Sequence, residues 1–279
     1  MTNYKLLEKK AAEIRKQLLG MIFEGKTGHT GGSLSCTDIL VALFYYKLRH
    51  NPKNPKWEQR DRFLLSKGHS VEGYYSVLAD TGYFPKEELM TFSKFKSRLI
   101  GHPCTKVPGV EMCTGALGHG LPVGVGMAIA AKKLNIGNKI YVLMGDGEQA
   151  EGSVWEAAMA GANYNLDNLV AIADRNRLQI SGNTEDVMAL ENLHAKWTAF
   201  GWNVLECNGN DIEDLCNTLD KTDEQTGKPY LILANTTKGK GVSFMENVAK
   251  WHHGVPSAEQ LCQAYSELDK TIKDLESYE

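Results

Sequence analysis

Two hydrophobic periods alternate along the chain. Apolar positions recur every three to four residues over 5–24, 36–48, 70–81, 119–134, 153–164, 190–200, 211–220 and 258–276, which predicts helices. Short apolar runs at 62–66, 139–144, 168–173, 203–207 and 230–235 predict strands. The run Ile140-Tyr141-Val142-Leu143-Met144 has no polar alternation, as in strands buried on both faces, so the expected fold class is α/β, a parallel sheet covered by helices on both faces. Ser153 and Glu156 have capping-box spacing at one helix start, as do Ser257 and Gln260 at the last. That last helix carries one apolar stripe, Leu261, Tyr265, Leu268, Ile272 and Leu275, expected to pack on the chain's own core. Gly124–Ala128 reads GVGMA, but it lies inside a helical pattern with no strand leading into it, so close helix packing accounts for it better than a dinucleotide loop. Between Ser97 and Gly118 no period is visible, and so long an irregular stretch points to a functional loop.

The 139–144 strand stops at Gly145-Asp146-Gly147. Glycines on both sides are expected to permit a sharp turn and close approach of an anion to main-chain N–H groups, while Asp146 presents its carboxylate. The 168–173 strand returns to the same edge and delivers Asn176, with the Leu178 carbonyl two residues on. A carboxylate, an amide oxygen and a main-chain carbonyl are the ligand set of a hard divalent cation that keeps positions open for diphosphate oxygens and water. Five of the eight histidines, His29, His69, His102, His119 and His253, adjoin a glycine. Glycine-flanked turns expose an imidazole where it can exchange protons with a polar substrate, whereas His50 and His194 are expected to be structural.

In order along the chain stand GHTGGSLS at Gly28–Ser35, NPKWEQRDRFLLSKGH at Asn54–His69, GHP at Gly101–Pro103, TGALGHG at Thr114–Gly120, the Gly-Asp-Gly and Asn pair, and HHGVP at His252–Pro256. This series resembles that of the transketolases. The resemblance implies a thiamine diphosphate-binding fold, one diphosphate-binding domain over residues 1–279, with thiamine diphosphate and Mg2+ (or Ca2+) as cofactors. It implies Asp146, Asn176 and Leu178 as metal ligands, flanked by Gly145 and Gly147. His69 and the His252-His253 pair would reach the diphosphate end and the reacting carbon, with His253 favoured by the glycine after it. His29 would serve the substrate carbonyl or hydroxyl, and His102 the terminal hydroxyl of the donor sugar. Gly115 and Leu117 would offer main-chain contacts to the aminopyrimidine, Ile180 an apolar contact to the thiazolium, and Glu151 an acidic group directed at a neighbouring subunit.

The family's second, pyrimidine-binding domain has no counterpart here. The resemblance therefore implies the N-terminal subunit of a split transketolase, expected as an α2β2 heterotetramer with a separate C-terminal subunit. Its reaction would be transfer of a two-carbon ketol unit from a ketose phosphate to an aldose acceptor. Thr30, Gly32, His119 and Arg175 depart from the family pattern and bear on substrate preference. Another thiamine diphosphate enzyme, such as a 2-oxo acid dehydrogenase α subunit or a deoxyxylulose phosphate synthase, would share the metal motif, and a noncatalytic cofactor-binding protein would share the fold. The order of the loops favours transketolase over the first, and the retained imidazoles favour an enzyme over the second. Lys238-Gly239-Lys240-Gly241 reads as a connecting loop whose glycines would let it order over the cofactor.

Composition narrows the setting. A net charge of −3 gives no electrostatic footprint for nucleic acid. No apolar run is long enough for a membrane span and no secretory core opens the chain, so a cytoplasmic protein is expected. The six cysteines, Cys36, Cys104, Cys113, Cys207, Cys216 and Cys262, show neither Cys-x-x-Cys spacing nor a metal pattern with histidine.

Overall fold

Five apolar segments pair into one parallel sheet in the computed structural model, which describes residues 2–276. The chain opens with helices α1 (Tyr4–Gly25), α2 (Thr30–Ser35) and α3 (Thr37–Ala42), then strand β1 (Arg62–Leu65), α4 (Val71–Thr81) and α5 (Gly120–Lys133). Strand β2 (Ile140–Gly145), α6 (Gly152–Asn163) and β3 (Leu169–Arg175) follow. A short antiparallel hairpin, β4 (Leu178–Gln179) and β5 (Gly182–Asn183), leads into α7 (Thr184–Val187) and α8 (Leu193–Ala199). The chain then runs through β6 (Asn203–Asn208), α9 (Ile212–Lys221), β7 (Tyr230–Asn235) and α10 (Ala258–Glu276). Strand order is β1-β2-β3-β7-β6.

Every residue of β2 and β3 is buried, as two-sided coverage requires. Alternate side chains serve opposite cores: Tyr141, Leu143, Val170 and Ile172 pack with α1, α3, α4 and α9, while Ile140, Val142, Met144 and Ala171 pack with α5, α6 and α8. Gly124 belongs to the second contact. A Cβ placed there would lie 2.6 Å from Val142 Cγ2, so the glycine lets α5 approach the sheet, as the sequence suggested. A third cluster joins Leu18 and Leu19 of α1 to Ala264 and Leu268 of α10. At the start of α10, Ser257 Oγ accepts from Gln260 N at 3.2 Å and Gln260 Oε1 accepts from Ser257 N at 2.9 Å, the expected reciprocal cap. No helix among the described residues is long and apolar enough to cross a membrane.

Several boundaries differ from expectation for identifiable reasons. The helix expected over 36–48 begins earlier, at Thr30, breaks at Cys36 and ends in a widened π turn over Leu43–Lys47. Gly31 and Gly32 disguised its start, because glycine disfavours helix, yet all six residues of α2 are buried and tertiary packing decides. The expected 190–200 helix is shortened to α8, and the β4–β5 hairpin with α7 was not visible in the periodicity. The Ser153-Glu156 capping box does not form: Ser153 Oγ donates instead to the Gly118 carbonyl at 2.9 Å, and Glu151 takes the N-cap position without a side-chain bond. Gly145 and Gly147 do not have positive φ; the chain turns at Asp146, from the end of β2 straight into a 3-10 turn over Gly147–Ala150.

The fit at Gly124 predicts that Gly124→Ala, although favourable for helix propensity, lowers stability by about 1–2 kcal/mol because buried Val142 must shift. Urea unfolding measures this, and an unchanged or raised midpoint would show that the contact is loose.

Candidate active site

Strands β2 and β3 end side by side, with Gly145 in register with Asp174. Beyond these ends lies a cavity of about 330 Å3. Its wall includes the predicted Gly145, Asp146, Gly147, Asn176, Leu178 and Ile180. From other loops come Gly115, Leu117, His29, His69 and His252, so segments far apart in sequence converge as anticipated. His102, His253 and Glu151 do not line it. Ile180 is 75% exposed, and Glu151 is exposed on the opening turn of α6.

The three oxygens of the proposed metal set are each held by local geometry. Asp146 Oδ1 accepts from Gly147 N at 2.8 Å, and Oδ2 accepts from Arg177 N at 2.5 Å and from Arg175 Nη1 at 3.3 Å. Asn176 Nδ2 donates to Asp174 Oδ2 at 3.2 Å, while its Oδ1 accepts from Leu178 N at 3.1 Å. Because a carboxylate only accepts, this pairing fixes which end of the amide is oxygen. The Leu178 carbonyl accepts from Lys238 Nζ at 2.9 Å, so an ammonium already rests on one of the three oxygens. Burial, then the Asp174 charge, push the Asp146 carboxyl up, a cost that a bound cation would relieve. Among the described residues no cluster of three or more His, Cys, Asp or Glu forms a metal centre, so a metal here depends on the amide and carbonyl oxygens as well as Asp146.

Lys238 is 2% exposed, and its hydrogen bonds go to two neutral acceptors, the Leu178 carbonyl and His252 Nδ1, the latter at 2.9 Å. Burial first, then the nearby Lys67 charge, lower it to about 8. A buried ammonium facing a cavity without a carboxylate partner is an anion site by its chemistry. The residues present therefore fit a diphosphate carried with a divalent metal. Since Lys238 can only donate, His252 Nδ1 accepts and its proton sits on Nε2.

Four imidazoles gather around a fifth, that of His29. The His29 ring lies 5.2 Å from His69, 6.1 Å from His102, 5.6 Å from His252 and 4.7 Å from His253. Burial is the main reason His29 is lowered to about 4 and His252 to about 3, with neighbouring imidazoles and Lys238 adding to it. Burial also holds His69 well below its ordinary value and His102 below it. Of the adjacent pair, His252 lines the cavity, while His253 is exposed, sits by Thr27 Oγ1 at 3.3 Å and has its ring nearer to that of His29. His50 is structural, as expected, bonded to Tyr83 Oη at 3.1 Å and the Phe44 carbonyl at 2.7 Å.

Comparison with known proteins fits this geometry. The family described as "Transketolase, thiamine diphosphate binding domain" matches residues 7–268. The chain belongs to the transketolase family. It is 55% identical to one subunit of the apulose-4-phosphate transketolase of Phocaeicola vulgatus, covering 97% of this chain and 96% of that one. It is 48% identical to the subunit of the same name from Actinobacillus succinogenes, covering 95% and 97%. Among solved structures, the transketolase of Campylobacter jejuni superposes with a TM-score of 0.91 at 36% identity, covering 96% of this chain and 43% of that chain. The chain thus spans less than half the length of that transketolase.

This transketolase-family site contains groups that sequence reasoning did not single out. Lys67, 1% exposed, forms an ion pair with Asp174 and also donates to the Gly32 carbonyl at 3.1 Å. Asp174 further accepts from Ser35 Oγ at 2.6 Å and from Thr236 Oγ1. Burial pushes Asp174 up, but Lys67 and these donors hold it below the ordinary carboxylate value. Glu148 accepts from Gly118 N at 2.8 Å, Gly145 N at 3.0 Å and Ser66 Oγ, tying the 114–120 loop to the end of β2. Glu72, raised to about 7 by burial, accepts from His29 N at 2.9 Å and Ser33 Oγ at 2.7 Å, which holds the His29 loop. The signals were present in Lys67 directly before Gly68-His69, Asp174 closing an apolar strand, and Lys238 in a loop read as connecting.

The lowered imidazoles give a pH prediction. Folded-state values of about 4 for His29 and about 3 for His252 lie below the ordinary 6.5, so both rings are neutral at pH 6.5. Between 6.5 and about 4 the unfolded chain binds more protons at His29, so its contribution to stability is lost as pH falls through that window. Long-range 1H–15N NMR of the imidazoles should show both rings neutral at pH 5.5; midpoints near 6.5 would contradict the assigned burial.

Proposed function

We propose that this chain is the thiamine diphosphate-binding subunit of a two-chain transketolase, moving a two-carbon ketol unit from a ketose phosphate to an aldose or aldose phosphate. A separate C-terminal subunit would supply the pyrimidine-binding domain, in an α2β2 assembly within the cytoplasm. One observation carries the reading: Asp146, Asn176 and the Leu178 carbonyl share a cavity wall with buried Lys238, beside imidazoles gathered around His29. The near full-length match to two proteins each named as a subunit of apulose-4-phosphate transketolase supports the two-chain form. Their names make a phosphorylated ketose such as apulose-4-phosphate the first donor to test.

When bound, thiamine diphosphate supplies the electron sink for carbon–carbon cleavage. The chain's own residues bind, orient and move protons. Asp146, Asn176 and Leu178 would hold Mg2+ or Ca2+, and Lys238, His69 and His252 would neutralise and donate to the diphosphate. Gly145 and Gly147 leave the wall open, Gly115 and Leu117 present main-chain groups, and Ile180 offers an apolar surface. His29, neutral at pH 7, would accept the proton of a substrate hydroxyl and return it to the product. His102 would meet the terminal hydroxyl, His253 would support the His29 ring, and exposed Glu151 would meet the partner.

The test is ketol transfer between sugar phosphates with thiamine diphosphate and Mg2+, by this chain alone and with its candidate partner. Turnover is expected only with the partner. Asp146→Ala should abolish metal-dependent cofactor retention and reduce turnover more than about 100-fold, beyond the loss of an outer hydrogen-bond partner. Turnover by the chain alone, normal retention by the variant, or activity on 2-oxo acids and not ketoses would each contradict the reading.

A further inference from the structure

Cys104 and Cys113 lie far apart in the irregular 97–118 loop but meet in space. Thr114 N donates to the Pro103 carbonyl at 3.3 Å, and Thr105 Oγ1 lies 3.9 Å from Cys113 Sγ, so the residues on both sides of Cys104 touch the Cys113–Thr114 segment. Cys104 thus lies between two residues that touch the Cys113–Thr114 segment, and its thiol is one of the groups that act on the Cys113 thiol. A disulfide between them needs Cβ atoms about 4 Å apart. Cys113 is exposed and Cys104 half-buried. The Thr105 main-chain N–H, then its hydroxyl, together with the Cys104 thiol and Lys106, hold the Cys113 thiol below its ordinary value. An accessible, acidified thiol beside a second thiol is the arrangement that peroxide-sensitive proteins require.

We propose that Cys104 and Cys113 are a peroxide-reactive dithiol, oxidised reversibly to a disulfide that joins the loops carrying His102 and Gly115. The Cys113 thiolate attacks one peroxide oxygen; the O–O bond breaks, water leaves after protonation, and the sulfur becomes a sulfenic acid. The Cys104 thiolate then attacks that sulfur, the S–S bond forms, the S–O bond breaks, and hydroxide takes a proton to leave as water. Two thiols and one hydrogen peroxide give one disulfide and two waters. A dithiol reductant reverses the change by exchange.

The bridge would sit where the site has little slack. Cys104 follows His102 by two residues and Cys113 precedes Gly115 by two. Gly115 has φ +142°, and a Cβ there would fall 2.9 Å from His102 Cδ2, so the imidazole packs directly on its main chain. A covalent link beside this contact fixes the spacing of the two loops.

The experiment treats the reduced chain with graded hydrogen peroxide, alkylates the remaining thiols and maps peptides without reduction. Cys262, exposed on α10, is the internal control, and Cys36, Cys207 and Cys216 are buried. The expected product is an intrachain Cys104–Cys113 cross-link, formed at a lower dose than Cys262 oxidation and removed by a dithiol reductant. Cys104→Ser should leave Cys113 as a dimedone-reactive sulfenic acid, and Cys113→Ser should leave Cys104 alkylatable at the same dose. Both thiols staying alkylatable at doses that oxidise Cys262, or cross-links formed chiefly between chains or to Cys262, would overturn the proposal. The wild-type map decides by itself and involves no cofactor, so it stands apart from the function proposed above.

Discussion

Parallel pairing of β2 with β3, in the register that sets Gly145 beside Asp174, is the constraint on which the site depends. It places Asp146 one residue beyond one strand and Asn176 one residue beyond the next, and the hairpin that starts at Leu178 brings the third oxygen alongside. A slip of one residue in either strand would turn its side chains to the opposite face, where they would not fit cores already filled on both sides. The hydrophobic register that builds the core therefore also aligns the oxygens.

Charge at the strand ends is arranged in two layers. In the deeper one, Lys67 and Asp174 neutralise each other, and Asp174 uses its remaining acceptor capacity on Ser35, Thr236 and Asn176. Losing either member of such a pair would leave a buried charge uncompensated, at a cost of about 3–5 kcal/mol. In the outer layer Lys238 has only neutral hydrogen-bond partners, and Asp146 is pushed up by burial with a single long ion pair to Arg175 at 3.3 Å, so the cavity wall holds a cation without an anion beside a carboxylate only partly neutralised. A diphosphate with its metal answers both demands. The imidazoles beside them are kept neutral by the same burial, so near pH 7 each has one ring nitrogen that donates and one that accepts.

The sheet was legible because two-sided burial leaves an unmistakable mark: runs such as Leu169-Val170-Ala171-Ile172-Ala173 have no polar position to interrupt them. The Gly-Asp-Gly turn and the glycine-flanked histidines were legible because few other structures need those residues together. What the sequence hid depends on tertiary contact. Thr30–Ser35 is helical despite two glycines because it is wholly buried. Ser153 has the right spacing for a cap, but its hydroxyl is taken by the Gly118 carbonyl. Which of His252 and His253 lines the cavity depends on the short helical turn over Ala249–His252 and on the bridge between His29 and Gly254, neither of which has a local signature. Lys238 looked like one lysine of a flexible loop; its burial against the Leu178 carbonyl comes from a segment sixty residues away.

The most direct test of the central claim is the anomalous scattering of Mn2+ in crystals of this chain grown with thiamine diphosphate. One strong peak is expected, bounded by Asp146 Oδ, Asn176 Oδ1 and the Leu178 carbonyl, with diphosphate density completing its shell and the Lys238 ammonium against that density. Diphosphate bound with no metal among these three oxygens, or a metal peak held by other residues, would contradict it.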